Sequence, residues 1–156
     1  MAETTFLTTG ATGATGGAAT ELLLDKKRRV RVLAHREDDR SGRLEELGAE
    51  VVYGDLLNFD AMRAALNGAQ RAYFCYPIRP GIVQATAQFA QAAAGVEFIV
   101  NMSQKSARED AKSDAARQHW LAERVFDWSG VPTAHIRPTY FAEWLLYLAP
   151  MIRQGG

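Results

Sequence analysis

A doubly wound parallel α/β sheet with helices on both faces is the fold this sequence predicts, and three observations predict it. Apolar β-prone runs alternate with helical segments, a glycine-rich turn follows the first strand directly, and a charged cluster closes the second strand. The 156 residues, 47% apolar and 23% charged, are enough for one buried core and describe a single domain over 1–156. Lys+Arg 18 against Asp+Glu 18 leaves no global field for nucleic acid or an anionic membrane, so any anion site must be local. One cysteine, Cys75, excludes an internal disulfide, and no signal-like segment precedes the first strand. Both favour a cytoplasmic setting. No apolar run is long enough to span a bilayer.

The first strand runs Thr4 to Thr9, and Ala18, Ala19, Leu22 and Leu23 carry helical spacing through a helix from about Ala14 to Lys27, with Lys26, Lys27 and Arg28 suiting its negative end. A second strand, Val30 to Ala34, precedes a charged turn and a short helix around Leu44 to Leu47, which Gly48 ends. Val51 to Tyr53 form the third strand, and Asn58 or Asp60 caps the helix through Met62, Ala65 and Leu66, with Gly68 beyond it. Ala72 to Tyr76 read as the fourth strand, stopped by Pro77 and Pro80, then Ile82 to Ala94 as a helix and Phe98 to Met102 as the fifth strand. After the polar loop Ser103 to Lys112 come a helix from Asp114 to Trp128 ending at Gly130, and a sixth strand from Thr133 to Ile136. The apolar Phe141 to Ile152 closes the chain as a helix with Pro150 inside its end.

Gly10-Ala-Thr-Gly13-Ala-Thr-Gly16 stands where a strand must turn sharply into a helix. Glycines there let the backbone approach a pyrophosphate and offer it unpaired amides at the positive helix end. In a Rossmann-type sheet the residue ending the second strand meets the adenosine ribose, and here the chain reads Ala34-His35-Arg36-Glu37. A planar cation at Arg36 suits a ribose 2′-phosphate, favouring NADP over NAD, whereas Glu37 would suit a free 2′-hydroxyl.

The Gly-x-x-Gly-x-x-Gly spacing after Thr9 resembles the atypical short-chain dehydrogenase/reductases. Val32-Leu-Ala-His-Arg36, Gly54-Asp55-Leu56, Asn101-Met-Ser103, His119-Trp-Leu-Ala-Glu123, Gly130-Val-Pro132 and Ile136-Arg-Pro138 narrow the resemblance to the NmrA-like family of NADPH-dependent quinone and dye reductases and NADP-sensing regulators. That resemblance implies that Gly10, Thr12, Gly13, Ala14 and Thr15 line the diphosphate, Arg36 contacts the 2′-phosphate, and Asp55 and Leu56 border adenine. It also lays Tyr76, Pro77 and Ile78, with Met102 and Ser103, along the nicotinamide-side ribose. The expected cofactor is NADP(H) and the expected acceptor a quinone or similar conjugated molecule. The alternative is a non-catalytic NADP(H) redox sensor acting through a protein partner.

Reductases of the broader superfamily use a Tyr-x-x-x-Lys helix for proton donation. With His119 in the lysine register, the tyrosine position falls at Ala115, so His119 is expected to position ribose or acceptor rather than to act as the acid. The missing tyrosine also disfavours a nucleotide-sugar epimerase. Each candidate has a plainer reading: Arg36 as a solvated cation, His119 as a structural histidine, Ser103 as a loop cap, Cys75 as a small buried hydrophobe, and Trp120, Trp128 and Trp144 as core or interface aromatics. His35, His119 and His135 lack metal-site spacing, and no basic-aromatic surface motif points to nucleic acid. The resembling family carries a C-terminal substrate lobe, which is expected to be missing from this chain. The apolar row Trp144, Leu145, Leu148 and Ile152 is accordingly expected to support self-association.

Overall fold

The computed structural model describes residues 5–154, the side chains of Trp144, Tyr147 and Gln154 excepted. Six strands, β1 (Thr5–Thr9), β2 (Arg29–Ala34), β3 (Glu50–Tyr53), β4 (Arg71–Phe74), β5 (Phe98–Met102) and β6 (Thr133–Ile136), form one sheet in the order β3-β2-β1-β4-β5-β6. Every pairing is parallel, so all carboxyl ends meet on one edge. Thr4, expected to begin β1, lies outside the described residues.

The winding reverses between β3 and β4, and the helices change face with it, as right-handed crossovers require. Helices α1 (Ala14–Asp25) and α2 (Asp39–Glu46) cover a small cluster built on Val30, Val32, Leu44 and Ala49. Helices α3 (Phe59–Leu66), α4 (Ile82–Ala92) and α5 (Asp114–Trp128) cover the larger one, where Phe74, Phe89 and Phe126 pack ring to ring with centroids 4.7 to 6.2 Å apart. A final helix, α6 (Trp144–Gln154), follows β6.

Several expectations need correcting. The buried stripe of α1 is Gly16 and Thr20, with Leu23 and Leu24 half-buried, whereas Ala18 and Leu22 face solvent. The reason is polar: the Thr20 hydroxyl pairs with Thr8 Oγ1 at 2.7 Å and donates to the Gly16 carbonyl at 2.8 Å. Helix α1 stops at Asp25 because Lys27 takes a left-handed turn, φ 58°, and its N–H returns to the Leu24 carbonyl. Helix α2 begins at Asp39 rather than near Leu44, since Asp38 and Ser41 form a reciprocal capping box. Asn58, not Asp60, caps α3. Helix α4 stops at Ala92, and α6 spans Trp144–Gln154 instead of Phe141 to Ile152.

The fourth strand ends at Phe74, two residues early, and the cause lies in β1. The Thr9 hydroxyl accepts the Cys75 N–H at 2.8 Å and donates to the Cys75 carbonyl at 3.1 Å, so a side chain replaces the ladder where β1 turns away at Gly10. Cys75 is half-buried just past the strand rather than inside it. Thr9→Val should orphan both backbone groups and lower stability by about 2 kcal/mol in urea denaturation, with Thr9→Ser retaining most of it. An unchanged midpoint for Thr9→Val would remove this role.

Candidate functional site

The carboxyl edge of β1 carries the glycine turn. Gly10 has φ +65°, a conformation L side chains rarely adopt, and Gly13 N–H closes the turn on the Gly10 carbonyl at 2.9 Å. Gly16 lies against that same turn: a Cβ there would collide with the Gly10 carbonyl and come within 2.8 Å of the Thr9 carbonyl. Gly13 caps α1 with no side chain, and the first intrahelical bond is Gly17 N–H to Gly13 O. The amides of Ala14, Thr15 and Gly16 therefore lack intrahelical partners at the positive end of the helix. Gly13 and Ala14 are exposed, while Gly10, Thr12 and Thr15 are half-buried around the opening.

Beyond β2 and β3 lies a charged rim. Arg36 Nε is 3.6 Å from Asp38 Oδ2, which also takes Arg40 Nη2 at 2.8 Å. The Arg40 hydrogen bond, aided by the Ser41 backbone, holds the Asp38 carboxyl below the usual range. Asp55 accepts the Leu57 N–H at 2.7 Å and lies 3.2 Å from His35 Nδ1 and 3.3 Å from Arg79 Nη2. The Leu57 amide, with help from Arg79 and His35, outweighs burial and lowers its pKa. Leu56, by contrast, turns its side chain into the main core, so only its backbone reaches the edge.

At the β4–β6 end, Tyr76 is buried and its hydroxyl donates to the Pro80 carbonyl at 2.9 Å, shaping a loop whose tip, Pro77 and Ile78, is exposed. Ser103 is buried, its N–H donating to the Ile136 carbonyl at 2.8 Å, and Met102 is half-buried beside it. On α5, His119, Glu123 and Asp127 recur every four residues and share one helical face. Burial depresses the His119 pKa, with Glu123 opposing, so its imidazole is neutral at neutral pH; Nδ1 is buried without a protein partner. Glu123 is fully buried and receives Arg137 Nε at 2.9 Å and Nη2 at 2.5 Å. Asp127 meets His135 Nε2 at 3.1 Å, and His135 Nδ1 meets Asn101 Nδ2 at 3.0 Å.

The structure thus brings the expected residues that end or follow β1, β2, β3, β4 and β5 to one edge of the sheet, with the tyrosine and leucine side chains turned inward, and sets His119 on α5 one turn before Glu123. It adds Thr9, His35, Arg79, Arg137, Asn101 and His135, which sequence reasoning did not place. A periodic signal was present for the last three: Asn101 on β5 and Ser103 just past it, and His135 on β6 and Arg137 just past it, alternate as residues on one sheet face do. Among the described residues no group of three His, Cys, Asp or Glu converges as a metal site, and no helix is long and apolar enough to cross a membrane.

A glycine turn at the carboxyl edge of a doubly wound sheet, beside the point where strand order reverses, is the arrangement of a dinucleotide-binding domain. Residues 10–144 match the family described as NAD(P)H-binding, and the chain belongs to that family, with solved-structure neighbours in the NmrA-like, atypical short-chain dehydrogenase/reductase group. It is 35% identical over 154 residues to the (4-alkanoyl-5-oxo-2,5-dihydrofuran-3-yl)methyl phosphate reductase of Streptomyces griseus, covering 97% of this chain and 53% of that protein. Identity to the NAD(P)H azoreductase of Xenophilus azovorans is 30% over 155 residues, with coverage of 97% and 53%. The NADPH-dependent quinone oxidoreductase of Escherichia coli, solved with NADPH, superposes with a TM-score of 0.82 at 24% identity, covering 96% of this chain and 54% of that one. At that identity the likeness carries the fold. The chain spans about half the length of the curated relatives it matches.

Proposed function

We propose that this chain binds NADP(H) and provides the cofactor half of an NADPH-dependent reductase acting on a quinone or similarly conjugated acceptor in the cytoplasm. The observation that carries the reading is the Gly10–Gly16 cradle, a turn with no room for a side chain at Gly10 or Gly16 that leaves three helix amides free. The activities of two of the curated relatives, both reductases, support it.

Gly10, Thr12, Gly13, Ala14 and Thr15 would hold the diphosphate, chiefly through backbone N–H groups. Arg36 would take the 2′-phosphate; its present pair with Asp38 is long and exposed, so little is lost when the guanidinium turns away. Asp55 and the Leu56 backbone would border adenine. The Tyr76 backbone and Pro77 would lie along the nicotinamide-side ribose, as would Met102 and Ser103. NADPH, when bound, supplies a hydride. His119, held neutral by burial, serves as a hydrogen-bond partner that orients ribose or acceptor, and the acceptor takes its proton from water.

Calorimetric titration of NADPH, NADP and NAD, followed by NADPH oxidation with a quinone panel, tests the reading. Turnover that falls in His119→Ala supports the reductase. Tight binding without turnover moves the assignment to a redox sensor, and absence of binding rejects both. Arg36→Ala should weaken NADP about tenfold or more while leaving NAD nearly unchanged; equal losses would reject its assignment to the 2′-phosphate. Leu145, Leu148 and Ile152 are exposed along α6, which favours self-association through that helix; a clean monomer in light scattering at high concentration would argue against it.

A further inference from the structure

We propose that the cationic corner Lys26-Lys27-Arg28-Arg29, with Leu22 beside it, docks this protein reversibly on an anionic membrane surface. Equal numbers of cations and carboxylates over the whole chain conceal this local excess. All four residues are exposed, and none forms an ion pair among the described residues. Nearby carboxylates on α1 and along the amino edge of the sheet are already taken: Glu21 by Arg43, Glu50 by Arg31 and Glu97 by Arg71. Only Asp25 stands in front of the run. A helix dipole favours cations past a C-terminus, yet the matching turns elsewhere in the fold carry none. Leu47-Gly48-Ala49, Asn67-Gly68-Ala69, Ala93-Ala94-Gly95 and Ser129-Gly130-Val131 follow α2 to α5 without a charge, and in each a glycine takes the left-handed conformation. After α1 that conformation falls on Lys27, φ 58°, the one non-glycine residue with positive φ among those described. Left-handed backbone is disfavoured for a residue with a Cβ, so lysine stands here against a preference that glycine would meet. Nor do the α1 carbonyls need these side chains: those of Leu22, Leu24 and Leu23 accept the backbone N–H groups of Lys26, Lys27 and Arg28.

Composition selects the anion. Lysine is depleted in protein–protein interfaces, whose centres are apolar. A single turn is too short to follow a nucleic-acid backbone, and it holds no aromatic side chain on which a base would stack. Flexible cations around one exposed leucine suit a layer of lipid headgroups instead. Leu22 is 60% exposed and lies one helical turn before Lys26, on the same side of the chain. The parallel sheet sets this corner at its amino edge, opposite the glycine turn that follows β1, so docking leaves the carboxyl edge open to solvent. The surface therefore stands independently of the dinucleotide reading.

Co-sedimentation of the chain with vesicles of phosphatidylcholine alone, and of phosphatidylcholine mixed with phosphatidylserine, tests the surface at low and at physiological salt. Uptake should occur on the anionic vesicles and fall as salt is raised. Arg28→Ala should lower the partition coefficient about fivefold, and Lys26→Glu combined with Arg28→Glu should abolish uptake, both with an unchanged far-ultraviolet circular dichroism spectrum. Lys112→Ala removes an exposed cation from the loop before α5 and should leave uptake as it is. Lys27→Gly should bind the vesicles about fivefold less while melting ~2–4 °C higher, a combination that damage to the fold does not produce. Wild-type uptake by the double charge reversal, or equal uptake on neutral vesicles, would overturn the proposal. Duplex DNA bound in place of anionic vesicles would overturn it in favour of nucleic acid, and absence of uptake by the wild type would overturn it outright.

Discussion

Gly16→Ala is expected to weaken NADPH binding by about two orders of magnitude while the rest of the sheet still folds. The added methyl has nowhere to go, because the atoms it meets are backbone: the Gly10 carbonyl and the Thr9 carbonyl, both at the end of β1. Backbone cannot swing aside as a side chain tip does. Relief requires α1 to retreat from the turn, which breaks the Thr8–Thr20 hydroxyl contact beneath it and displaces the amides of Ala14 and Thr15 from the diphosphate position. Overpacking of this kind costs about 1–3 kcal/mol of stability in addition. Gly42→Ala is the matched control: it lies within α2 with open space around its Cβ, and it should stabilise the chain by roughly 0.5–1 kcal/mol without touching binding. Calorimetric Kd values and thermal melts of both variants check this. A Gly16→Ala protein with wild-type NADPH affinity would remove the cradle from the site.

Arg137→Ala should produce the largest loss of stability, about 3 kcal/mol at neutral pH. Glu123 is fully buried between α5 and the sheet, and Arg137 is the partner that makes its charge tolerable through two hydrogen bonds. Because the guanidinium is 45% exposed and keeps some water, the lower end of the range for broken buried pairs applies. Glu123→Gln should be milder, since Arg137 can turn to solvent whereas Glu123 cannot. Burial pushes the Glu123 carboxyl up, but the Arg137 hydrogen bonds, a smaller pull from the nearby Ser103 hydroxyl and the charges of Arg137 and His135 outweigh it, so its pKa is lowered. A carboxyl depressed on folding contributes stability that is present above its unfolded pKa, about 4.3, and lost as pH falls through the folded value. Without Arg137, burial prevails and the sign reverses, so stability is lost as pH rises from about 4.3 through the raised value. Arg137→Ala should therefore melt higher at pH 5 than at pH 7, unlike wild type. A variant within 1 kcal/mol of wild type at pH 7, or one indifferent to mild acid, would show that the pair is not holding the β6 end of the site.

How much of this was legible beforehand depended on the range of each interaction. Gly48, Gly68, Gly95 and Gly130 all adopt positive φ, and those at 48, 68 and 130 marked helix ends in the sequence because their conformational demand is local. The α2 boundary was missed although its cap was equally local: Asp38 and Ser41 spell a capping box in which serine replaces the usual Glu or Gln. The end of β4 was misplaced for a different reason. Tyr76 continues the apolar β-prone run, and only the Thr9 hydroxyl, 66 positions away, ends the ladder at Phe74. Similarly, Ala18 and Leu22 satisfied helical periodicity, yet the polar Thr20 won the buried stripe because Thr8 was waiting beneath it.

The sequence by itself determined the alternating elements, the glycine turn at Gly10 to Gly16 and the presence of a cation at position 36, because each depends on backbone dihedrals or on neighbours within a few residues. Tertiary structure alone decided which charges meet: Asp55 with His35 and Arg79, and Glu123 with Arg137. Those partners stand on different strands and loops, and until the sheet order β3-β2-β1-β4-β5-β6 brings their carboxyl ends to one edge, no spacing along the chain distinguishes them from ordinary surface ions.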